Sequence, residues 1–388
     1  MKILHTSDWH IGKRLLGYER LTEQADVLDE IALISNQENV ELVLIAGDIF
    51  DHYTPSADAE TLFYEKIKLI AGKHRSVLLI SGNHDDGVRL SSIAPFCETQ
   101  GVYIVGNTRQ LKGIFDENRK THPVKFGKGY IIFQNEKGEQ VFISTLPYPN
   151  EARFKEEKLD LPYAQRIKNW IDEGHKHNTE NLPSIFMSHI FVAGGEISSS
   201  EREIDLGGAK AVPIDVLPTC DYIALGHLHK KQRMGKNHCY YSGSPLQYSF
   251  DETADKSVKV FDLTKNGVEN LKDVLLTKGK KLIRLQAETV AEGEALLKLY
   301  PENLVELKLF LSAPITSSDT IRLTSNPNLI SLQPQVLQDE TLQFESRKGL
   351  SGEALFDAYY KANYDTEPSA DLKALFLQIL SSLDAGND

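Results

Sequence analysis

The stretch ELVLIAGD, residues 41–48, narrows most sharply what this chain can fold into. Its apolar residues run on without polar alternation, so a strand made from them must be covered on both faces, as in a sheet layered between other elements. It then stops on Gly47 and Asp48, a turn former followed by a carboxylate that such a core would reject. The same construction recurs. KILHTSD (2–8) leads to Asp8 and His10, SVLLISGNHDD (76–86) to Asn83 and His84, SIFMSHI (184–190) to His189, and DYIALGHLH (221–229) to His227 and His229. Between the early strands, Leu21, Ala25, Leu28, Ile31 and Ala32 have helical spacing across 20–37, and a second helical stretch covers about 57–73. Strand, helix, strand, helix, strand is the alternation of an α/β layered sheet.

Further along, GVYIVG (101–106) reads as a strand, followed by loops and a hairpin near Asn135–Glu139. QVFISTL closes on two prolines, a helix is expected over 163–177, and HCYYSGSP (238–245) and SVKVFDL (257–263) read as strands. The glycine- and serine-rich segment 194–210 reads as a mobile loop. After about 275 the pattern strand, helix, strand, short helix, strand describes a small α/β unit. Two amphipathic helices end the chain, one with Leu355, Phe356, Tyr359 and Tyr360, the other with Leu372, Leu375, Phe376, Ile379, Leu380 and Leu383. The 388 residues allow two or three domains, and we place them at 1–270, 278–336 and 345–388.

Five apolar segments thus deliver carboxylate, amide or imidazole at their ends, where ligands gather in α/β sheets. Residues i and i+2 of an extended chain point the same way, so Asp8 and His10 are expected to converge, as are His227 and His229. Asn83 and His84 are neighbours and should diverge, one toward metal and one toward substrate. The donors Asp8, His10, Asp48, Asn83, His189, His227 and His229 are too many for one tetrahedral site and suit two ions sharing a carboxylate. Oxygen and nitrogen donors without thiolate fit Mn²⁺, Fe²⁺ or Zn²⁺. Paired ions about 3.5–4 Å apart are the usual arrangement for phosphoester hydrolysis. A single histidine on an apolar strand is more often a core residue, and His5 is read that way. The ordered recurrence of the motif sets the others apart.

These motifs, D-x-H, G-D, G-N-H, a lone His and G-H-x-H, resemble those of the metallophosphoesterases. In finer detail HTSDWHIG, AGDIFD, SGNHD, GHLH and YYSGSPLQYSFDE resemble the D subunits of bacterial SbcCD nucleases over residues 1 to about 265. The resemblance implies a layered β-sandwich core flanked by helices, a small α/β cap that contacts DNA, and C-terminal helices that bind an ATPase partner. It implies that Asp8, His10, Asp48 and His229 hold one metal and that Asp48, Asn83, His189 and His227 hold a second, with Mn²⁺ in both. His84 would contact the scissile phosphate and help protonate the leaving oxygen. Asp51 either orients that imidazole, as a carboxylate does in some relatives, or caps the helix that starts near Pro55. The implied partners are DNA and SbcC, a coiled-coil ATPase, with two D subunits forming a homodimer inside a heterotetramer. The implied activity is double-strand exonuclease and hairpin endonuclease in DNA repair, recombination and replication.

Composition constrains the partners. A formal net charge of −12 disfavours wrapping nucleic acid by bulk electrostatics. Contact with DNA would need local cations, and Lys230, Lys231, Arg233 and Lys236 follow the last ligand directly, while Lys278, Lys280, Lys281 and Arg284 open the cap. No G-x-x-x-x-G-K-[ST] loop is present, so any dependence on ATP must come from a partner. Nothing approaches the roughly 20 apolar residues of a membrane span. Cys97, Cys220 and Cys239 are scattered, and with no signal-peptide pattern the expected setting is the cytoplasm. Two rival readings are a phosphodiesterase of small nucleotides and a DNA-end-binding scaffold with a vestigial site. The filled ligand positions disfavour the second.

Overall fold

A computed structural model describes residues 1–106, 119–149, 161–201, 210–235, 237–337, 352–364 and 366–384. The first sheet starts from β1 (Lys2–Thr6), α1 (Leu21–Gln37), β2 (Leu42–Ala46), α2 (Ala57–Ala71) and β3 (Ser76–Ile80). Two short helices, α3 (Gly87–Ser92) and α4 (Ala94–Glu98), lead into β4 (Val102–Val105). The second sheet takes β5 (Thr121–Gly127), β6 (Tyr130–Asn135), β7 (Gln140–Leu146), then α5 (Tyr163–His175), β8 (Ser184–His189), β9 (Tyr222–Gly226), β10 (Gln232–Arg233) and β11 (Cys239–Tyr241). The chain returns to the first sheet through β12 (Ser257–Thr264) and β13 (Gly267–Leu275). Sheet orders are β13-β12-β1-β2-β3-β4 and β10-β11-β9-β8-β7-β6-β5, with β1 to β4 parallel to one another and β7, β8, β9 and β11 likewise.

Strand alternation explains the unbroken apolar runs. Along β2, Leu42, Leu44 and Ala46 pack between the two sheets against Ile143, Ile185, Met187 and Tyr222, whereas Val43 and Ile45 face α1 and α2. On β8 and β9, Ile185 and Ala224 lie between the sheets while Phe186, Ile223 and Leu225 pack on Ile167 and Ile171 of α5. The order of layers is therefore helix, sheet, sheet, helix, and each central strand is apolar on both faces.

Besides the two-residue β10, two strands depart from the sequence reading. The β5 segment, expected as loop, is an edge strand whose register shifts between Pro123 and Lys125, because proline cannot donate to the ladder. β13, unanticipated, forms an edge of the first sheet and runs through residue 270, so that sheet ends at Leu275. Its half-exposed pattern lacks the apolar run that marks the central strands.

The small unit after 275 comprises β14 (Leu282–Ala287), α6 (Val290–Leu299), β15 (Leu304–Leu311), α7 (Ser317–Thr324) and β16 (Leu329–Val336), in the sheet order β14-β15-β16. Contacts group residues 1–309 and 315–334 into one compact unit and 310–314 with 335–388 into another. Leu282 and Leu304 join the first unit by packing with Leu15 and Phe250. The connecting chain is held as well, with Thr277 N and Lys278 N donating to Glu30 and Lys280 N to Glu23. In the second unit, α8 (Gly352–Tyr364) and α9 (Ala370–Asp384) meet through stacked Phe356 and Phe376 rings, 4.1 Å apart, and a Lys373–Asp357 ion pair of 2.6 Å. No helix among the described residues is long and apolar enough to cross a membrane.

Candidate metal centre

The sequence reading places Asp8 with His10, and His227 with His229, on single strand faces. They do converge, but not by strand alternation. β1 ends at Thr6 and β9 at Gly226, and the polar residues follow in tight loops. Asp8, His10 and Asp48 adopt φ of 54°, 45° and 52°, and His227 108°, conformations that L-residues rarely take. Such backbone strain persists only where the surroundings over-determine it. Here Asp8 N donates to Gly47 O (3.0 Å), His10 N to Asp48 O (3.0 Å) and Ile11 N to Ile49 O (2.9 Å), lacing two ligand loops together. A third loop approaches so closely that a Cβ on Gly82 would overlap the Asp48 carboxylate.

The polar cluster after β3 divides its labour. Asn83 Oδ1 lies 2.9 Å from His189 Nε2 and 3.0 Å from His227 Nδ1. His84 turns the other way, its Nδ1 donating to the Asp51 carbonyl at 2.7 Å, while its main-chain N donates to Asp48 Oδ1 at 2.8 Å. Asp85 is a brace. Its carboxylate accepts from Gly82 N (2.8 Å), Phe50 N (3.0 Å) and Ile49 N (3.1 Å), tying the Asn83 loop to the Asp48 loop. Burial pushes its carboxyl up to about 7, against the pull of those donors. Asp86 caps α3, accepting from Val88 N and Arg89 N.

All seven expected ligands are buried and brought together. His10 Nε2 lies 2.9 Å from His229 Nε2 and 3.5 Å from Asp48 Oδ2, and His189 Nε2 lies 3.3 Å from Asp48 Oδ2. Asp8 accepts from His227 N at 2.9 Å and from Ser7 Oγ at 2.5 Å. Ligand atoms of Asp8, His10 and His229 fall within 4.8 Å of one another, as do those of Asp8, Asp48 and His189, and of His10, Asp48 and His84. Burial raises the Asp8 carboxyl to about 6. Burial would raise Asp48 too, but His189, His84 and His10 hold it well below the usual carboxylate range.

This donor set fits two divalent cations. Two imidazole Nε2 atoms facing each other at 2.9 Å are best satisfied by a shared cation. His189 Nδ1 donates to the Ala46 carbonyl at 2.8 Å, which leaves its Nε2 lone pair facing Asp48 and Asn83, the tautomer a metal requires. Carboxylates, imidazoles and one amide oxygen without sulfur suit first-row divalent ions.

Of the alternatives for Asp51, the helix cap is overturned, because Ser56 caps α2 by accepting from Ala59 N. The Asp51 carboxylate instead lies 3.3 Å from His10 Nδ1, 2.9 Å from Lys13 Nζ and 3.6 Å from His84 Nδ1, so its side chain bears more on His10 than on His84. His10, Lys13 and their hydrogen bonds hold its carboxyl below the usual range against the effect of burial.

Several residues escape the sequence reading. In the segment 194–210, expected to be mobile, residues 202–209 lie outside the described residues, but Ser200 and Glu201 grip His229. Ser200 Oγ is 2.5 Å from His229 Nδ1, and Glu201 accepts from His229 N at 2.8 Å. Glu252 receives the Ser200 hydroxyl at 2.6 Å. The Tyr248 ring packs 5.5 Å from His10 and 5.8 Å from His229. Tyr248 and Glu252 lie inside the YYSGSPLQYSFDE motif, which carried the resemblance but assigned them no role, and no local pattern marks Ser200 or Glu201; all four meet the site through long-range contacts. His5, read as core, is buried with its Nδ1 3.0 Å from Tyr222 Oη.

The proposed DNA-contacting cations are partly engaged. Lys230 pairs with Glu196, Lys231 Nζ donates to Ser257 at 3.2 Å, and the Arg233 guanidinium sits 5.9 Å from the Tyr240 ring centre. Lys236 lies outside the described residues.

Comparison with known proteins agrees with this geometry. Residues 1–231 match the family model described as calcineurin-like phosphoesterase. The chain is 33% identical over 407 aligned residues to the D subunit of the SbcCD nuclease of Bacillus subtilis, covering 99% of each protein. It is 32% identical to the corresponding SbcCD nuclease protein of Rhodobacter capsulatus, over 75% of this chain and 73% of the relative. The Staphylococcus epidermidis counterpart is 32% identical over 70% and 68%. The chain belongs to the calcineurin-like phosphoesterases and, within them, to the D subunits of SbcCD nucleases.

Proposed function

We propose that this chain is the nuclease subunit of an SbcCD-like complex, hydrolysing DNA phosphodiesters with two Mn²⁺ ions as a double-strand exonuclease and a hairpin endonuclease. The observation that carries the reading is the buried convergence of Asp8, His10, Asp48, Asn83, His189, His227 and His229 from separate loops. Asp8, His10, Asp48 and His229 would hold one cation, and Asp48, Asn83, His189 and His227 the other. Bound there, the ions would lower the pKa of a water and neutralise charge on the phosphate.

The chain's own residues supply the rest. His84 is buried beside His10, ring centres 4.6 Å apart, with Nδ1 tied to the Asp51 carbonyl, so its Nε2 is the atom that would meet a phosphate or protonate a leaving oxygen. Asp51 steadies His10 and, more distantly, His84. Lys230, Lys231 and Arg233 follow the ligand His229 directly and would meet DNA phosphates, and residues 278–336 form the DNA-contacting cap.

The chain's partner is an SbcC-like coiled-coil ATPase received by the segment 345–388, where Leu355, Tyr359, Leu372 and Leu375 are exposed on α8 and α9. A second copy completes a homodimer within the heterotetramer. The cytoplasm is the setting, consistent with Cys97, Cys220 and Cys239 as free thiols.

The test compares cleavage of a hairpin oligonucleotide with that of a small phosphodiester by the chain and its ATPase partner in Mn²⁺. Hairpin cleavage should dominate, and His84→Asn should lower its rate about 10²–10⁴-fold with metal content unchanged. Preferred hydrolysis of the small diester, or full hairpin cleavage by the variant, would refute the reading.

A further inference from the structure

The two cation positions are backed differently, and the difference traces to residues outside the ligand set. His189 rests its Nδ1 on a neutral acceptor, the Ala46 carbonyl, at 2.8 Å. The histidines of the other position have carboxylates behind them, one directly and one through a serine hydroxyl. His10 Nδ1 lies 3.3 Å from Asp51 Oδ1. His229 Nδ1 meets the Ser200 hydroxyl at 2.5 Å, and that hydroxyl donates in turn to Glu252 Oε1 at 2.6 Å, with Oε1 itself 3.6 Å from the ring.

Glu252 is built into the protein rather than resting on its surface. Its side chain is 2% exposed, its Oε1 also accepts from Ser249 Oγ at 3.1 Å, and its Oε2 accepts from Lys256 Nζ at 2.5 Å. Lys256 continues to the His229 carbonyl at 3.0 Å and to Ser244 Oγ at 2.8 Å. Glu201 holds the His229 main-chain N at 2.8 Å. The histidine is therefore gripped at its ring nitrogen, its amide and its carbonyl. Its Nδ1 becomes the donor, and its Nε2 lone pair is aimed at His10 Nε2, 2.9 Å away.

A carboxylate at the far nitrogen of a ligating imidazole fixes its tautomer and raises its basicity, and removing such partners typically costs 10–100-fold in metal affinity. We propose that Glu252, acting through Ser200, is a positioning residue for His229 and makes the Asp8–His10–His229 position the tighter of the two cation sites. This inference rests on the two-cation reading above, and the following experiment separates the two.

Mn²⁺ binding to the chain is followed by calorimetry and by electron paramagnetic resonance of free Mn²⁺, with thermal melts in chelator to confirm folding. The wild type should show two binding events, the tighter abolished by His229→Ala. Glu252→Gln keeps an acceptor for the serine hydroxyl but removes the charge, and should weaken that same event 10–100-fold while leaving the other unchanged. Ser200→Ala, which leaves the Glu252–Lys256 pair intact, should weaken the same event. A folded Glu252→Gln chain that binds both ions as the wild type does, or loses both affinities alike, would overturn the inference. Should Glu252→Gln not fold, unaltered binding by Ser200→Ala overturns it alone. A wild-type chain that takes up no Mn²⁺ would instead refute the proposed function.

Discussion

His5 is a buried base with a consequence for acid stability. It sits on β1 at 0% exposure, hydrogen-bonded to Tyr222 and paired across the ladder with Lys259. Burial, with the nearby Lys259 charge, drops its pKa from 6.5 to about 3. The unfolded chain therefore binds a proton between those values that the folded chain refuses. Stability from this group is present above the unfolded value and is lost as pH falls below it, at up to about 1.4 kcal/mol per pH unit. Between pH 7 and pH 5 the linkage integrates to a loss of about 2 kcal/mol. His5→Gln keeps a partner for the Tyr222 hydroxyl but cannot titrate. Urea unfolding followed by the fluorescence of the two tryptophans, Trp170 and the buried Trp9, run at both pH values in chelator, measures the difference. Every other titrating group is common to both proteins and cancels. The variant should lose about 2 kcal/mol less than the wild type on acidification, and equal losses would refute the reasoning.

Other perturbations reach the site. Asp85→Ala removes the acceptor of three buried N–H groups, and urea unfolding should register a loss of about 2–4 kcal/mol, tempered by the relief of burying a carboxylate. Gly82→Ala drives a Cβ into Asp48 and should cut Mn²⁺ uptake, read by metal analysis, while leaving far-UV circular dichroism unaltered. Asp51→Asn should lower turnover and also weaken Mn²⁺ binding by about 10-fold or more, because its carboxylate faces the ligand His10; lost turnover at full metal affinity would return the residue to a role on His84 alone.

Much of the architecture can be read along the chain because it rests on local pattern. The apolar runs of β1, β2, β3, β8 and β9 announce strands covered on both faces, and each ends within a few residues of a polar donor. Edge strands such as β5 and β13 are half solvated and carry no such run, so no local signal announces them.

The donor types and their order were determined by the sequence alone, since which side chains can bind a cation is a property of the residues themselves. Tertiary structure decided how they meet. Left-handed turns at Asp8, His10, Asp48 and His227 aim the donors, and those turns hold only because loops distant in sequence bond to one another. It also decided the position of Asp51, whose carboxylate faces His10 rather than capping α2, and the grip of Ser200, Glu201 and Glu252 on His229. These contacts join residues tens of positions apart, and pairwise proximity at that range is set by how the sheets stack.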